Sequence, residues 1–176
     1  MKNEYEIRGN ITAIIIHSPK YGTKETIIST SMLGLAKQFG NSWYVRYERK
    51  TQSFYAVGNM TIGLNKRRTY GLHQWLMGLP QGMGVDHINH DTLNNTEGNL
   101  RIVTTSQNAQ NRKGATRVNV SGIRGVTWCE SKSKWRVRIG VNGKYYFFGH
   151  YKTKEEAEKV AIEKRKLLLP YSNEAL

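Results

Sequence analysis

Residues 84–112 read GVDHINHDTLNNTEGNLRIVTTSQNAQNR and gather a carboxylate, an imidazole and several amide side chains around short apolar runs. Asp86 and Asn108 each offer a hard oxygen, one from a carboxylate and one from an amide. Such a pair, with room left for water and a phosphate, suits Mg²⁺ or Mn²⁺ rather than Zn²⁺. His87 is the right residue type for a general base near neutral pH. Cys129 is the only cysteine, which excludes an internal disulfide and a multi-cysteine zinc site. His90 reads as an exposed loop residue, and His73, beside Leu72 and Trp75, reads as a packing or bracing residue rather than a ligand.

To bring these groups together, the chain needs a compact support. Val85–Ile88 has the pattern of a short strand. The stretch 89–98, rich in Asn, Asp, Thr and Gly, predicts a loop ordered by side-chain-to-backbone hydrogen bonds. Leu100–Val103 is a second strand, and Thr104, Thr105 or Ser106 caps a helix containing Gln107 to Arg112. This order of strand, loop, strand and helix is expected to carry Asp86 towards Asn108.

The segment resembles the HNH, or ββα-metal, endonucleases, in particular those of phage and intron-encoded homing proteins. The resemblance rests on Asp86-His87, Asn94-Asn95, Asn99-Leu100-Arg101 and Asn108, with Asn in place of the final His. It implies hydrolysis of DNA phosphodiesters with one divalent ion per site, held by Asp86 and Asn108, and with His87 as base. It further implies that Asn99 braces the loop so that His87 points correctly. Arg101, Arg112 and Lys113 are candidates to clamp neighbouring phosphates, and the spacing selects none of them. One such site handles one strand per engagement, so a monomer is expected to nick; monomer and homodimer both stay open. By the same resemblance, the setting is the cytoplasm of a bacterial host.

Further along, three strands (123–128, 135–141 and 145–148) and a helix from Lys154 to Leu168 are expected. Asn142-Gly143 is a hairpin turn signal. Trp135, Val137 and Ile139 share one face of the middle strand, and Arg136 and Arg138 share the other. On the helix, Ala157, Val160, Ala161, Lys164 and Leu168 mark the stripe that covers the sheet. The stretch resembles the AP2 DNA-binding domain in Arg124-Gly125-Val126, Trp135, Phe148-Gly149 and the helix start at Thr153 to Ala157. That resemblance implies double-stranded DNA as partner, with Arg124, Arg136 and Arg138 as the leading contacts and Trp128 and Lys144 behind them. Thr127 stands where plant members usually have arginine, so base preference does not carry over.

The expected architecture is thus α+β in several parts: an N-terminal β-rich region (1–70), the HNH core (71–112), a basic linker (113–121) and the AP2-like three-stranded antiparallel sheet plus helix (122–170). In the first region the expected elements are strands at Ile11–Ile16 and Ser42–Tyr47, a short helix from Ser31 to Phe39, and a hairpin of Phe54–Val57 with Thr61–Leu64 turning at Gly58-Asn59. LHQWLMGLP predicts a helix carrying Leu72, Trp75, Leu76 and Leu79.

The charge agrees with a polyanionic partner. Lys and Arg number 27 against 13 Asp and Glu, a formal balance of +14, and such a surplus favours nucleic acid through its local field and counterion release. No apolar run approaches the ~20 residues needed to span a bilayer, and the first residues lack a signal peptide's pattern. The sequence is therefore expected to be intracellular, with no membrane partner. Two other readings remain: a DNA-binding regulator with an inactive HNH core, and an RNA-binding protein.

Overall fold

The computed structural model describes residues 1–64, 66–116 and 118–175, and its contacts fall into two compact units, 1–104 and 105–176. Arg117, the end of the basic cluster that starts at Arg112, lies outside the described residues.

In the first unit, β1 (Tyr5–Arg8), β2 (Ile11–Ser18) and β3 (Gly22–Ser29) form an antiparallel meander. β2 is its central strand, which is why Thr12, Ala13 and Ile14 are all buried in succession. The chain then makes a short helix, α1 (Leu33–Gln38), and a second antiparallel sheet of β4 (Trp43–Glu48), β5 (Ser53–Ile62) and β6 (Lys66–Gly71). Next comes α2 (Leu72–Leu76), which buries Leu72 and Leu76. The helix stops there because Gly78 and Leu79 both take positive φ, 73° and 53°, so Leu79 falls outside it. One apolar cluster joins these parts: Ile14, Ile16 and Ile28 from the first sheet, Ala36 and Phe39, Trp43 and Ala56 from the second, and Leu72 and Leu76.

Where a hairpin is expected at 54–64, the chain runs as one strand to Ile62 and turns only from Gly63. Gly58 does not turn the chain; a Cβ there would lie 2.3 Å from Cε1 of Phe39 and 3.0 Å from Cε3 of Trp43. Its lack of a side chain lets β5 pass beneath the stacked Phe39 and Trp43 rings, whose centroids are 4.0 Å apart. A glycine in a strand serves close approach as readily as a turn.

The unit closes with β7 (Gly84–His87), the two-residue strand β8 (Asn94–Asn95) and β9 (Leu100–Val103). β7 and β9 pair antiparallel, placing Asp86 opposite Arg101 and His87 opposite Leu100. β8 adds to the first sheet beside β3 in parallel, with Ile27 facing Asn94 and Ile28 facing Asn95. The loop of the nuclease-like motif is therefore stitched into the N-terminal meander.

The second unit contains α3 (Thr105–Gln110), the antiparallel sheet β10 (Val126–Cys129), β11 (Lys134–Val141) and β12 (Lys144–Tyr151), and α4 (Lys154–Leu168). α4 begins where the sequence expects. The Thr153 hydroxyl accepts from the Glu156 N–H at 3.2 Å, and the Glu156 carboxylate accepts from the Thr153 N–H at 3.4 Å. Its inner face buries Ala157, Ala161 and Arg165 against Val126, Val137 and Ile139. The stripe thus includes Arg165 where the sequence pattern had placed Lys164, whose ammonium instead lies 5.9 Å from the Phe148 ring.

Candidate active site

Asp86 ends up against a cation. Its Oδ2 accepts hydrogen bonds from Nε and Nη2 of Arg101 at 3.0 and 2.8 Å, and the two side chains are only 10% and 17% exposed. Direct opposition across the β7–β9 ladder is the cause: cross-strand partners project from the same face. Arg101, one of the phosphate-clamp candidates, is thus committed to Asp86 here. Asp86 lies where a positive charge is already accommodated.

His87 projects from the other face of β7 and enters the interior of the unit, where it is 5% exposed. Its Nε2 is 3.1 Å from Oδ1 of Asn95. The His73 ring stands 4.9 Å from it, and the Tyr55 ring 6.0 Å. Burial pushes the His87 pKa down, while the Asn95 hydrogen bond and the charges of Asp86 and Asp91 oppose that shift. The balance leaves a ring that is neutral near pH 7, the form that accepts a proton. His73 is held neutral more firmly, at about 3, by burial and then by the nearby His87 and Arg46. It serves as packing against His87 and Tyr55.

Asn99 ties the loop together. Its Oδ1 accepts from the Asn89 N–H at 3.0 Å, and its Nδ2 donates to the Asn94 carbonyl at 2.7 Å and to that of Asp91 at 3.4 Å. The Ile88 N–H donates to the Asn99 carbonyl at 2.9 Å. Asn89, Asp91 and Asn94 each accept from a backbone N–H two residues on, the Asx chemistry that this composition predicts. Within this loop His90 takes a left-handed φ of 66° and is half-buried. Asn95, which bonds His87, and Thr26, which bonds Asn95, had no role assigned from sequence, where Asn95 entered only in the Asn94-Asn95 match. Asn95 reads there as turn chemistry, and nothing near Thr26 announces a partner far along the chain.

Asn108 is exposed on α3 in the second unit, as are Arg112 and Lys113 beyond its end. That helix is held by its own unit. Nη1 of Arg124 donates to the Gln110 carbonyl at 2.7 Å and to that of Arg112 at 3.3 Å, and Nη2 reaches the Ala109 carbonyl at 3.4 Å. Oε1 of Gln110 accepts from the Tyr171 N–H, and Oδ1 of Asn111 from the Asn173 N–H. Arg124 precedes β10 rather than lying in it, so its donors satisfy helix-end carbonyls instead of extending from the sheet. Burial, and then the charges of Arg112 and Arg165, lower its pKa.

On the sheet face opposite α4, Arg136 pairs with Thr127 and His150, and Arg138 with Phe147. The Arg138 guanidinium lies 4.3 Å from the Tyr145 ring centroid. The register shifts between Val137 and Arg138, opposite Gly149 at φ 115°. That bulge sends Phe148 to the core while Phe147 stays 57% exposed. Trp128 and Lys144 fall on the other side: Trp128 is two residues from buried Val126 and meets Trp135 edge to face, and Lys144 pairs with Val141. The two residues that the sequence had grouped with the arginines are thus at the rim of the helix-covered face, a consequence of strand alternation. A cleft of about 390 Å³ in this unit is lined by Arg112, Arg124, Arg138 and Tyr145 among others.

Among the described residues, no three His, Cys, Asp and Glu side chains gather as a metal cage. The Asp86 carboxylate is a hard oxygen donor, the kind that divalent cations such as Mg²⁺ take. Among the described residues no helix is long and apolar enough to cross a membrane.

Comparison with known proteins places a family on this segment. Residues 76–110 match the HNH endonuclease family HNH_3. The chain is 33% identical over 70 residues to Protein 3.8 of Escherichia phage T7, covering 40% of this chain and 57% of that one. It is 33% identical over 82 residues to an uncharacterized HNH endonuclease of Acanthamoeba polyphaga mimivirus, covering 47% of this chain and 41% of the relative. The chain therefore spans between two fifths and three fifths of the curated relatives it matches. No solved structure matches. Asp86, His87, Asn99, Arg101 and Asn108 all fall within the residues that match the HNH endonuclease family.

Proposed function

We propose that the protein is a divalent-metal-dependent DNA endonuclease of the homing type, site-selective, which nicks as a monomer. The observation that carries this reading is a buried His87 beside Asp86, on a loop braced by Asn99, inside the segment that matches the HNH family. In this mechanism His87 takes the proton of the attacking water. Asn99 keeps the loop, and with it the histidine, in place. Asp86 would supply a carboxylate oxygen to the cation and Asn108, by the family resemblance, an amide oxygen. When bound, Mg²⁺ or Mn²⁺ supplies stabilisation of the charge that develops on the phosphate and the leaving 3′ oxygen.

Supercoiled plasmid tests the reading. Incubation with Mg²⁺ or Mn²⁺ is expected to give open circles, and EDTA is expected to prevent them. Absence of cleavage on both plasmid and a large phage or genomic DNA would leave a DNA-binding protein with an inactive core. Linear product without an open-circle intermediate would count against nicking by a monomer.

The second unit supplies the grip in this proposal, as an AP2-like module. Arg136 and Arg138 share an exposed face with Tyr145 and Phe147, a basic and aromatic surface suited to duplex DNA. Replacing both arginines by alanine is expected to weaken binding and to flatten the slope of log K against log salt by up to ~2, from about −0.9 per phosphate contact. Fluorescence anisotropy across a salt series reads this. If affinity falls with the slope unchanged, the arginines contact bases rather than phosphates, and sequence preference should relax in the same variant.

A further inference from the structure

The hydrogen bonds around His87 can be assigned from a fixed point outward. The Leu93 carbonyl accepts from the Thr26 hydroxyl at 2.8 Å. A carbonyl oxygen only accepts, so the hydroxyl hydrogen of Thr26 is spent there. Towards Asn95, Thr26 Oγ1 is then an acceptor, and it faces the amide nitrogen Nδ2 at 2.8 Å. With the amide so oriented, Oδ1 of Asn95 is the atom that meets His87 Nε2 at 3.1 Å. An amide oxygen also only accepts. Nε2 therefore carries the hydrogen, and the lone pair of the neutral ring is on Nδ1.

Thr26 is 0% exposed and Asn95 1%, so water does not stand in for a lost partner between them. Reversing any link would leave two donors or two acceptors facing each other in the interior, an arrangement that costs the desolvation of both. The parallel pairing of Ile27 with Asn94 and of Ile28 with Asn95 holds the links in register. From this wiring we propose that Thr26 and Asn95 are positioning residues that hold His87 in the Nε2–H tautomer. The N-terminal sheet thereby becomes part of the catalytic apparatus. The inference rests on the reading of His87 as the general base: a base is competent only if its lone pair is on the nitrogen that meets the water, so the tautomer decides the rate.

The test combines a spectrum with kinetics on the full chain. In protein labelled with ¹⁵N-histidine, the neutral His87 ring is expected to show its proton on Nε2, its signals being identified by their loss in His87→Gln. Thr26→Val keeps the shape and removes the hydroxyl, which frees the Asn95 amide to rotate. The variant is expected to shift His87 towards the Nδ1–H form and to lower kcat on plasmid by on the order of 10–100-fold with little change in KM. Thr26→Ser, which restores the hydroxyl, is expected to recover both. Asn95→Leu is expected to lose the tautomer preference in the same way. A wild-type ring protonated on Nδ1 overturns the proposal, as does a Thr26→Val protein with unaltered tautomer or unaltered kcat. Failure of the nuclease reading looks different: wild type and His87→Gln would cleave equally or not at all, while the spectrum still decides the wiring.

Discussion

Replacing His87 by glutamine is expected to lower the rate of plasmid nicking by about 10²–10⁴-fold, the usual contribution of a positioned acid or base. Glutamine is the informative choice because of where the ring lies. His87 is 5% exposed and donates to Asn95, so alanine would leave both a void and an unmet amide oxygen. Glutamine retains an N–H donor and has no basic nitrogen. The variant should remain folded, with unchanged circular dichroism and DNA affinity, while cleavage disappears. Asp86→Asn is expected to do the same by removing the carboxylate charge that a cation needs, and to loosen Arg101, which loses a charge-assisted bond at 2.8 Å. Because both variants disable one unit of chemistry, the double variant should be no slower than the worse single one. Cleavage that persists in Asp86→Asn, or DNA affinity that collapses with it, would mean that Asp86 is structural.

The second large effect concerns stability and lies far from the chemistry. Arg165 is 4% exposed, bonds the Glu174 carboxylate and donates to the Arg124 carbonyl. It thus joins α4, the C-terminal turn and the segment before β10. Breaking a buried pair by removing one partner costs about 3–5 kcal/mol, because a polar group is stranded. Glu174 retains 35% side-chain exposure, so water relieves part of this and the lower end, about 3 kcal/mol, is the expected loss for Arg165→Met. Hydrogen exchange resolved by peptide should show lost protection in β11 and α4, with β2 and β5 unaffected. The double change Arg165→Met with Glu174→Gln is expected to lose less than the sum of the singles, since it alone leaves no lone charge. The same arginine orders the stretch from which Arg124 holds the end of α3, so the variant should also weaken protection at the carboxyl end of that helix.

These expectations depend to different degrees on what was legible in the chain. Short-range signals were. The strand before Asp86-His87, the strand Leu100–Val103 and the start of α4 at the Thr153–Glu156 capping box all follow from patterns within a few residues. Backbone hydrogen bonding and side-chain period act over that distance. The Asx turns of the loop were legible for the same reason.

What only the tertiary structure decided involves partners far apart along the chain. Gly58-Asn59 has the composition of a turn, and only the Phe39 and Trp43 rings against Gly58 show that it serves close approach. Lys164 and Arg165 are neighbours on a helix, and a stripe pattern cannot separate them by one step of about 100° when an arginine can be buried against an acid. Trp128 and Lys144 share the basic, aromatic character of Arg136 and Arg138, yet strand register sends them to the other face. The hydrogen bond from Asn95 to Thr26 spans 69 positions. The sequence by itself determined the chemistry available at residues 84–112, because that chemistry belongs to residue types and local spacing. The fold decided which nitrogen of His87 carries the proton, which cation Asp86 faces and which arginine is buried, because burial and hydrogen-bond direction are set by groups that meet only when distant segments pack.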